Sequence, residues 1–453
     1  MGNAMQTCDG RCVVHREAGG LTQGDPSMTP SESGYTSVLA VTSEPPWPLD
    51  SGGHLRSFHL LRMLASRFDV RLVTPARGTD AELAAGALAA ETVRPRIVRM
   101  GRRTAVREAL KIAVAAAGSE PYVMFARHRS ASVARMLREE IRRQRPDVVY
   151  LDHLDSLVYA RMRGNAAVVV DMHNVYSRLA ERAAAEAHGR LRRAYLRREA
   201  MLLARMERRA VEIADTILAV SDDDAQYFSD LGAKRVVLVP NGVDCAAYGR
   251  PSVDRSVRPT ILYVGALGWP PNASAARYLA TDVLPVVRRT VADARVVIVG
   301  RNPPADLLSL ARDNRDVEVA ADVAEVAPFF RSADVLAVPL ETGGGTRLKI
   351  LEAFAAGLPV VSTPIGCEGI VADAGRHLVV AERPHFAEAV ADLLLDPARG
   401  RLLAARAREL AQARYDWSVV GASACDAVAA AAARLPAPAP SLPALTIERV
   451  TNQ

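Results

Sequence analysis

Lysine is almost missing from this chain: Lys111, Lys234 and Lys349 are the only ones among 57 basic residues in a sequence of 453. The net charge of +6 therefore rests on arginine, and aromatic residues make up only 5%. With few rings to stack on bases between the charges, a nucleic-acid partner is not expected. Cysteine is also scarce. Cys8, Cys12, Cys245, Cys367 and Cys425 are odd in number and scattered, so neither a disulfide framework nor a four-ligand zinc site is indicated. No apolar run reaches the roughly 18 residues of a membrane span, and residues 1–34 lack the apolar block of a signal peptide. The sequence therefore predicts a cytoplasmic protein with a disordered leader over 1–34 and a mobile Pro-rich tail over 434–453, neither carrying chemistry.

What is present is alternation. Short apolar, β-branched runs and longer Ala/Leu/Arg helical patterns follow each other along nearly the whole chain, which predicts parallel α/β architecture. One series of strands begins at Ser37, Asp69, Arg96, Asp147, Ala167, Thr216 and Arg235, and a second at Thr260, Arg295, Asp316, Asp334, Pro359 and His377. Between them, Pro240-Asn241-Gly242-Val243-Asp244 and a stretch without clear period place a boundary near 245–258. The expectation is two Rossmann-like doubly wound domains, 35–248 and 249–433, facing a cleft.

The most informative segment is the strand at Asp334–Val338 running into Gly343-Gly344-Gly345-Thr346-Arg347-Leu348-Lys349 and on to Glu352 and Gly357. Glycines let backbone approach a ligand, Thr346 suits a helix cap, and the helix start favours an anion. Arg347 and Lys349 add charge-assisted hydrogen bonds, and Glu352, one turn beyond Lys349, can accept from ribose hydroxyls. A diphosphate fits this place. The complete dinucleotide fingerprint and the GxxxxGK[ST] phosphate loop are both missing. Asp222-Asp223-Asp224 after Ser221 reads as a capped first helical turn, Asp152-His153-Leu154-Asp155 stays ambiguous, and no essential metal or cofactor is expected. Residues 190–209 carry eight arginines against Glu199 and Glu207, a strip suited either to anionic lipid headgroups or to plain solvation.

In their order, several motifs resemble glycosyltransferase family 4 enzymes of the GT-B fold. They are Pro46-Trp47-Pro48-Leu49-Asp50-Ser51-Gly52-Gly53, Asp171-Met172-His173-Asn174, Ala219-Val220-Ser221, Pro240-Asn241-Gly242-Val243-Asp244, Leu262-Tyr263-Val264-Gly265 and the stretch from Gly343 to Ser362. The variant Gly-Gly-Gly-Thr-Arg-Leu-Lys is similar to a branch that builds bacterial exopolysaccharide and other envelope glycans. The resemblance implies a nucleotide diphosphate sugar as donor, held by the C-terminal domain, and a glycan or lipid-linked acceptor on the N-terminal one. Transfer would be metal-independent and would retain the anomeric configuration. By position, His173, Arg347 and Lys349 would act at the reacting centre. Gly265, Arg301, Gly343, Gly344, Gly345, Thr346 and Glu352 would hold the donor, and Gly52, Gly53, Arg56 and Asn174 would face the acceptor, Arg56 meeting an acceptor phosphate or lying on a helix surface.

Two departures stand out. Gly344 occupies the place of the family's first motif glutamate, so backbone N–H groups of Gly343 to Gly345 would take over part of that contact. Ala266 and Pro270-Pro271-Asn272 stand where the family often has an arginine and a lysine on the diphosphate, so Arg347 and Lys349, with Arg301, would supply that charge. The alternatives are an epimerase or hydrolase of nucleotide sugars on the same fold, and a non-catalytic scaffold in glycan assembly. A peripheral position on the inner membrane face follows only if the arginine strip meets lipid.

Overall fold

Strands that are apolar on both faces need helices on both sides, and β-branched runs of this kind pair in parallel. The structure, a computed structural model, describes residues 36–49, 51–78, 80–101, 104, 111, 118, 120–249, 258–342 and 347–434. The expected leader and all of the expected tail but Arg434 lie outside these residues. The first sheet contains β1 (Ser37–Val41), β2 (Asp69–Ala76), β3 (Arg94–Arg99), β4 (Val148–Asp152), β5 (Ala167–Met172), β6 (Thr216–Ala219) and β7 (Val236–Leu238). The second contains β8 (Thr260–Val264), β9 (Arg295–Gly300), β10 (Val317–Ala321), β11 (Val335–Val338), β12 (Val360–Ser362) and β13 (Val379–Val380).

All pairings between these strands are parallel, in the orders β3-β2-β1-β4-β5-β6-β7 and β10-β9-β8-β11-β12-β13. Each order reverses direction beside its first strand, so loops leave on opposite faces and a crevice opens at the strand ends, between β1 and β4 and between β8 and β11. The two halves are Rossmann-like domains, each with its own interior. Leu39, Val149, Val168 and Ile217 are among the buried side chains of the first, and Ile261, Val297, Leu336 and Phe354 of the second.

The chain departs from the expected division at its end. The helix Trp417–Ala432, placed by its sequence in the second domain, packs on the first. Its Val420, Ala424 and Val428 join Val38, Leu60, Leu61 and Leu64 in one apolar cluster. The reason is close approach: a Cβ on Gly421 would strike the Met63 side chain, and the Cys425 thiol lies 3.4 Å from Met63 O. The chain therefore crosses between domains twice. The crossings are laced together where Val243 N donates to Tyr415 O at 2.8 Å and Trp417 N to Val243 O at 3.2 Å. Residues 250–257 of the expected boundary lie outside the described ones.

Candidate active site

The cleft holds a cavity of about 510 Å³ lined from both domains. Three helices begin on it. From the first domain comes Gly52–Ala65, whose cap Ser51 accepts from His54 N at 3.2 Å; from the second come Pro270–Tyr278 and Leu348–Ala356. Ser51, Gly52, Trp269, Asn272, Arg347 and Leu348 all line the wall, so the unsatisfied N–H ends of these helices bias the space toward an anion. The ends of β8 and β9 supply Val264, Gly265, Gly300 and Arg301. A Cβ on Gly300 would run into the Gly265 carbonyl, so glycine is required there for the two strand ends to approach.

Lys349 crosses from its helix to the end of β8. Its Nζ lies 3.1 Å from the Tyr263 hydroxyl and 3.1 Å from Asn272 Oδ1, and 4.3 Å from the centre of the Tyr263 ring. These contacts are neutral, and among the described residues no carboxylate comes within ion-pair distance of it. Burial and the neighbouring Arg347 charge lower the Lys349 amine to about 7, against a smaller opposing pull from Glu352. Arg347 is itself buried, with Nη2 donating to Ile365 O at 3.3 Å, and burial lowers its guanidinium too. Glu352 lies on the same wall; burial raises its carboxyl, while the Tyr248 hydroxyl and Lys349 hold it down.

The expected donor residues are thus partly gathered: Gly265, Arg301, Arg347, Lys349 and Glu352 share one cavity. Gly343, Gly344, Gly345 and Thr346 lie outside the described residues. The helix cap expected at Thr346 is at Arg347, which makes no side-chain cap bond. The helix ends as expected, with Gly357 left-handed at φ 68°.

On the first domain the outcome is different. Gly52 and Gly53, expected to face the acceptor, form the first turn of the helix. Gly52 faces Leu348 across the cleft, where a Cβ would come to 3.1 Å. Arg56 corrects both earlier readings, since it lies neither on a surface nor toward an acceptor. It is 1% exposed; its Nε donates to both oxygens of Asp171 at 3.0 and 3.1 Å, and Nη2 adds a bond at 2.5 Å. Its Nη1 reaches Val239 O at 2.8 Å and Pro240 O at 3.1 Å. The arginine is spent tying the end of β5 to the interdomain crossing. Asn174 is separated from the cavity and lines a crevice of about 80 Å³ with Arg178, Arg182 and Glu368.

His173 is 7% exposed. Its Nε2 sits 3.2 Å from Asp152 Oδ1 and 3.3 Å from Asp171 Oδ2. These three side chains bring ligand-type atoms within 4.8 Å of one another, but the set does not suit a metal. Asp171 is taken by Arg56 and by the Tyr150 hydroxyl at 2.9 Å, and Asp152 Oδ2 by Ser57 at 2.8 Å. A dication there would also face the Arg56 guanidinium. Asp222–Asp224 form the first turn of the helix Asp222–Asp230, and Ser221 caps it by accepting from Asp224 N at 3.1 Å. Sequence reading gave no site role to Asp152, Asp171, Tyr248 and Tyr263, although Asp152, Asp171 and Tyr263 stood in stretches it had singled out near strand ends.

Two Rossmann-like domains closing on a cleft with cations and helix N-termini on one wall define the GT-B class. Solved structures agree on the fold. HepE from Anabaena, in complex with UDP and glucose, aligns with a TM-score of 0.61 at 12% identity over 87% of this chain and 100% of that one. WaaG, a glycosyltransferase involved in lipopolysaccharide biosynthesis, aligns with a TM-score of 0.58 at 17% identity over 86% and 99%. Residues 51–247 match the family model for Glycosyltransferase Family 4, and residues 258–396 that for Glycosyl transferases group 1. The chain thus carries a glycosyltransferase family 4 domain followed by a glycosyltransferase group 1 domain. The phosphatidyl-myo-inositol mannosyltransferase of Mycolicibacterium smegmatis is 32% identical over 214 residues, 45% of this chain and 54% of that protein. The chain thus spans about half the length of the curated relatives it matches.

Proposed function

We propose that this protein is a retaining glycosyltransferase that needs no metal ion. It takes a sugar from a nucleotide diphosphate donor held on the second domain and passes it to a cell-surface glycan or lipid-linked acceptor presented by the first. One observation carries this reading: Lys349 is held beside Arg347 on the cavity wall where helix N-termini converge, and among the described residues no carboxylate comes within ion-pair distance of it. A diphosphate supplies the missing negative charge, and the nearby Glu352 carboxylate suits ribose hydroxyls. As the sugar–phosphate bond breaks, negative charge grows on the leaving phosphate and these fixed donors stabilise it. The acceptor oxygen bonds to the anomeric carbon on the face the phosphate leaves, and its proton passes to that phosphate. Gly343 to Gly345 complete the donor contacts in this proposal.

The acceptor side fits a membrane-borne substrate. In the helix Arg190–Ile213, Arg190, Arg192, Arg193 and Arg197 are exposed beside Leu191 and Tyr195, at 89% and 47% exposure. The two acids of the strip are turned inward; Glu207 accepts from Ser177 and Tyr227. The outer face is therefore cationic and apolar together, which suits peripheral binding to anionic lipid. No helix among the described residues is long and apolar enough to cross a membrane.

The test is a panel of nucleotide sugars screened for thermal stabilisation, followed by transfer of label from the hits to membranes with and without a chelator. Stabilisation by at least one donor, then labelled product with chelator present, is the expected outcome. Release of free sugar or of an isomer without transfer overturns the proposal, as does failure of any donor to stabilise the protein.

A further inference from the structure

In the first domain one helix delivers adjacent side chains to two different carboxylates, and both carboxylates hold one imidazole. Arg56 grips Asp171, and Ser57 donates to Asp152 Oδ2 at 2.8 Å. The remaining oxygen of Asp152 and Oδ2 of Asp171 both face Nε2 of His173. We propose that Asp152 is a positioning residue for the transfer reaction, fixing His173 as a doubly protonated hydrogen-bond donor whose Nδ1 serves a substrate oxygen at the cleft and which never works as the base.

Charge balance supports this. Two buried carboxylates against the single Arg56 guanidinium leave one negative charge, and an imidazolium cancels it. Nε2, facing two carboxylate oxygens, must carry a proton to bond with either. The other nitrogen points elsewhere: a Cβ on Gly53 would lie 3.9 Å from Nδ1, and Gly53 follows the cavity-lining Gly52. No described residue hydrogen-bonds Nδ1, so its N–H is available to a ligand. The other groups around the ring reinforce the arrangement. The Tyr150 hydroxyl donates to Asp171. The rings of His153 and His173 meet edge to face with centres 4.8 Å apart, and His153 is itself held between Asp155 and the Tyr176 hydroxyl. Although burial alone would lower it, the two carboxylates raise His173 to about 9. A ring that keeps both protons at neutral pH donates to a hydroxyl or phosphate oxygen and accepts no proton.

This inference rests on the transferase reading only for its readout in turnover; its geometry can be tested without it. The imidazole nitrogens of His173 are followed by NMR in the full chain from pH 5 to 10, alongside initial transfer rates. In the unchanged protein both nitrogens remain protonated through pH 8, and the rate at saturating donor falls as pH rises through about 9. In Asp152→Asn both the titration and the falling limb move down by about 1 pH unit or more, since one of two anionic partners is gone. Ser57→Ala, which keeps the charge but loosens the carboxylate, moves them less and serves if Asp152→Asn does not fold. A neutral His173 ring at pH 7 in the unchanged protein, or a titration untouched by both variants, overturns the inference. Absence of any transfer activity in the unchanged protein, with the NMR titration as described, sinks the transferase reading instead.

Discussion

The two domains each hold a buried cation, in opposite electrostatic states. His173 has two carboxylates at 3.2 and 3.3 Å and is raised to about 9. Lys349 has a phenol, an amide oxygen and a neighbouring guanidinium, and is lowered to about 7. Burial disfavours charge in both places, so the difference comes from the partners. The first site is complete without a ligand, its charges cancelled inside the fold. In the second, among the described residues, no carboxylate lies within ion-pair distance of the lysine, and in the proposed function an anionic substrate supplies that charge.

Breaking the complete site has the largest expected effect. Asp171→Asn leaves Arg56 without its carboxylate and deprives Tyr150 and His173 of an anionic partner, and removing one partner of a buried pair costs about 3–5 kcal/mol. Denaturant unfolding measures the loss. The sign with pH can be worked out. The ordinary imidazole value is near 6.5 and the folded one about 9, so the stabilisation from His173 is fully present below about pH 6.5 and is lost as pH rises through about 9. Asp171 lies below its usual range because Arg56 and His173 outweigh its burial, so its share is present at neutral pH and lost toward acid. Asp171→Asn should flatten both slopes.

Removing the cation of the incomplete site should act in the opposite direction on stability. Lys349→Met keeps the length of the side chain and discards an under-compensated charge, so the unliganded protein melts at the same or a higher temperature. Donor affinity falls about tenfold to a hundredfold, the loss of one charge-assisted hydrogen bond worth roughly 1.5–3 kcal/mol. Titration calorimetry over pH 6 to 9 sharpens the contrast. Lys349 is protonated below about pH 7, so the binding of a donor diphosphate weakens as pH rises above that value, and the slope disappears in the variant. A melting temperature that drops as far in Lys349→Met as in Asp171→Asn would erase the distinction between the domains.

How far these sites could be read in advance follows the range of the interactions. Strands such as Thr260–Val264 and the left-handed Gly357 are decided locally by β-branched runs and by a helix stop. The gathering of Lys349 with Glu352 was visible as well, since the two lie three apart on one helix. Arg56 was not: its partner Asp171 lies 115 positions away, and an arginine in a polar helix start is more often exposed. The return of Trp417–Ala432 to the first domain depends on Gly421 meeting Met63, a complementarity that no period along the chain encodes. The helix start differed for a smaller reason, because Arg347 takes the cap position itself and leaves no side-chain bond to recognise.

The finest probe of the comparison is Tyr248, which links the interdomain crossing to the donor wall. Its ring packs edge-on against Phe330 at 5.6 Å, and its hydroxyl is turned to the Glu352 carboxylate. Burial raises Glu352, and this hydroxyl is the first of the groups that hold it down. Tyr248→Phe keeps the ring packing and removes only the donor, so the carboxyl rises further and takes up a proton at higher pH. A protonated Glu352 is a poorer acceptor for ribose hydroxyls, so the donor KM should increase about twofold to tenfold, the 0.5–1.5 kcal/mol of one neutral hydrogen bond. The acid limb of kcat/KM moves toward neutral pH, while kcat at saturating donor remains unchanged. If kcat falls with KM constant, Tyr248 acts on domain movement and not through Glu352.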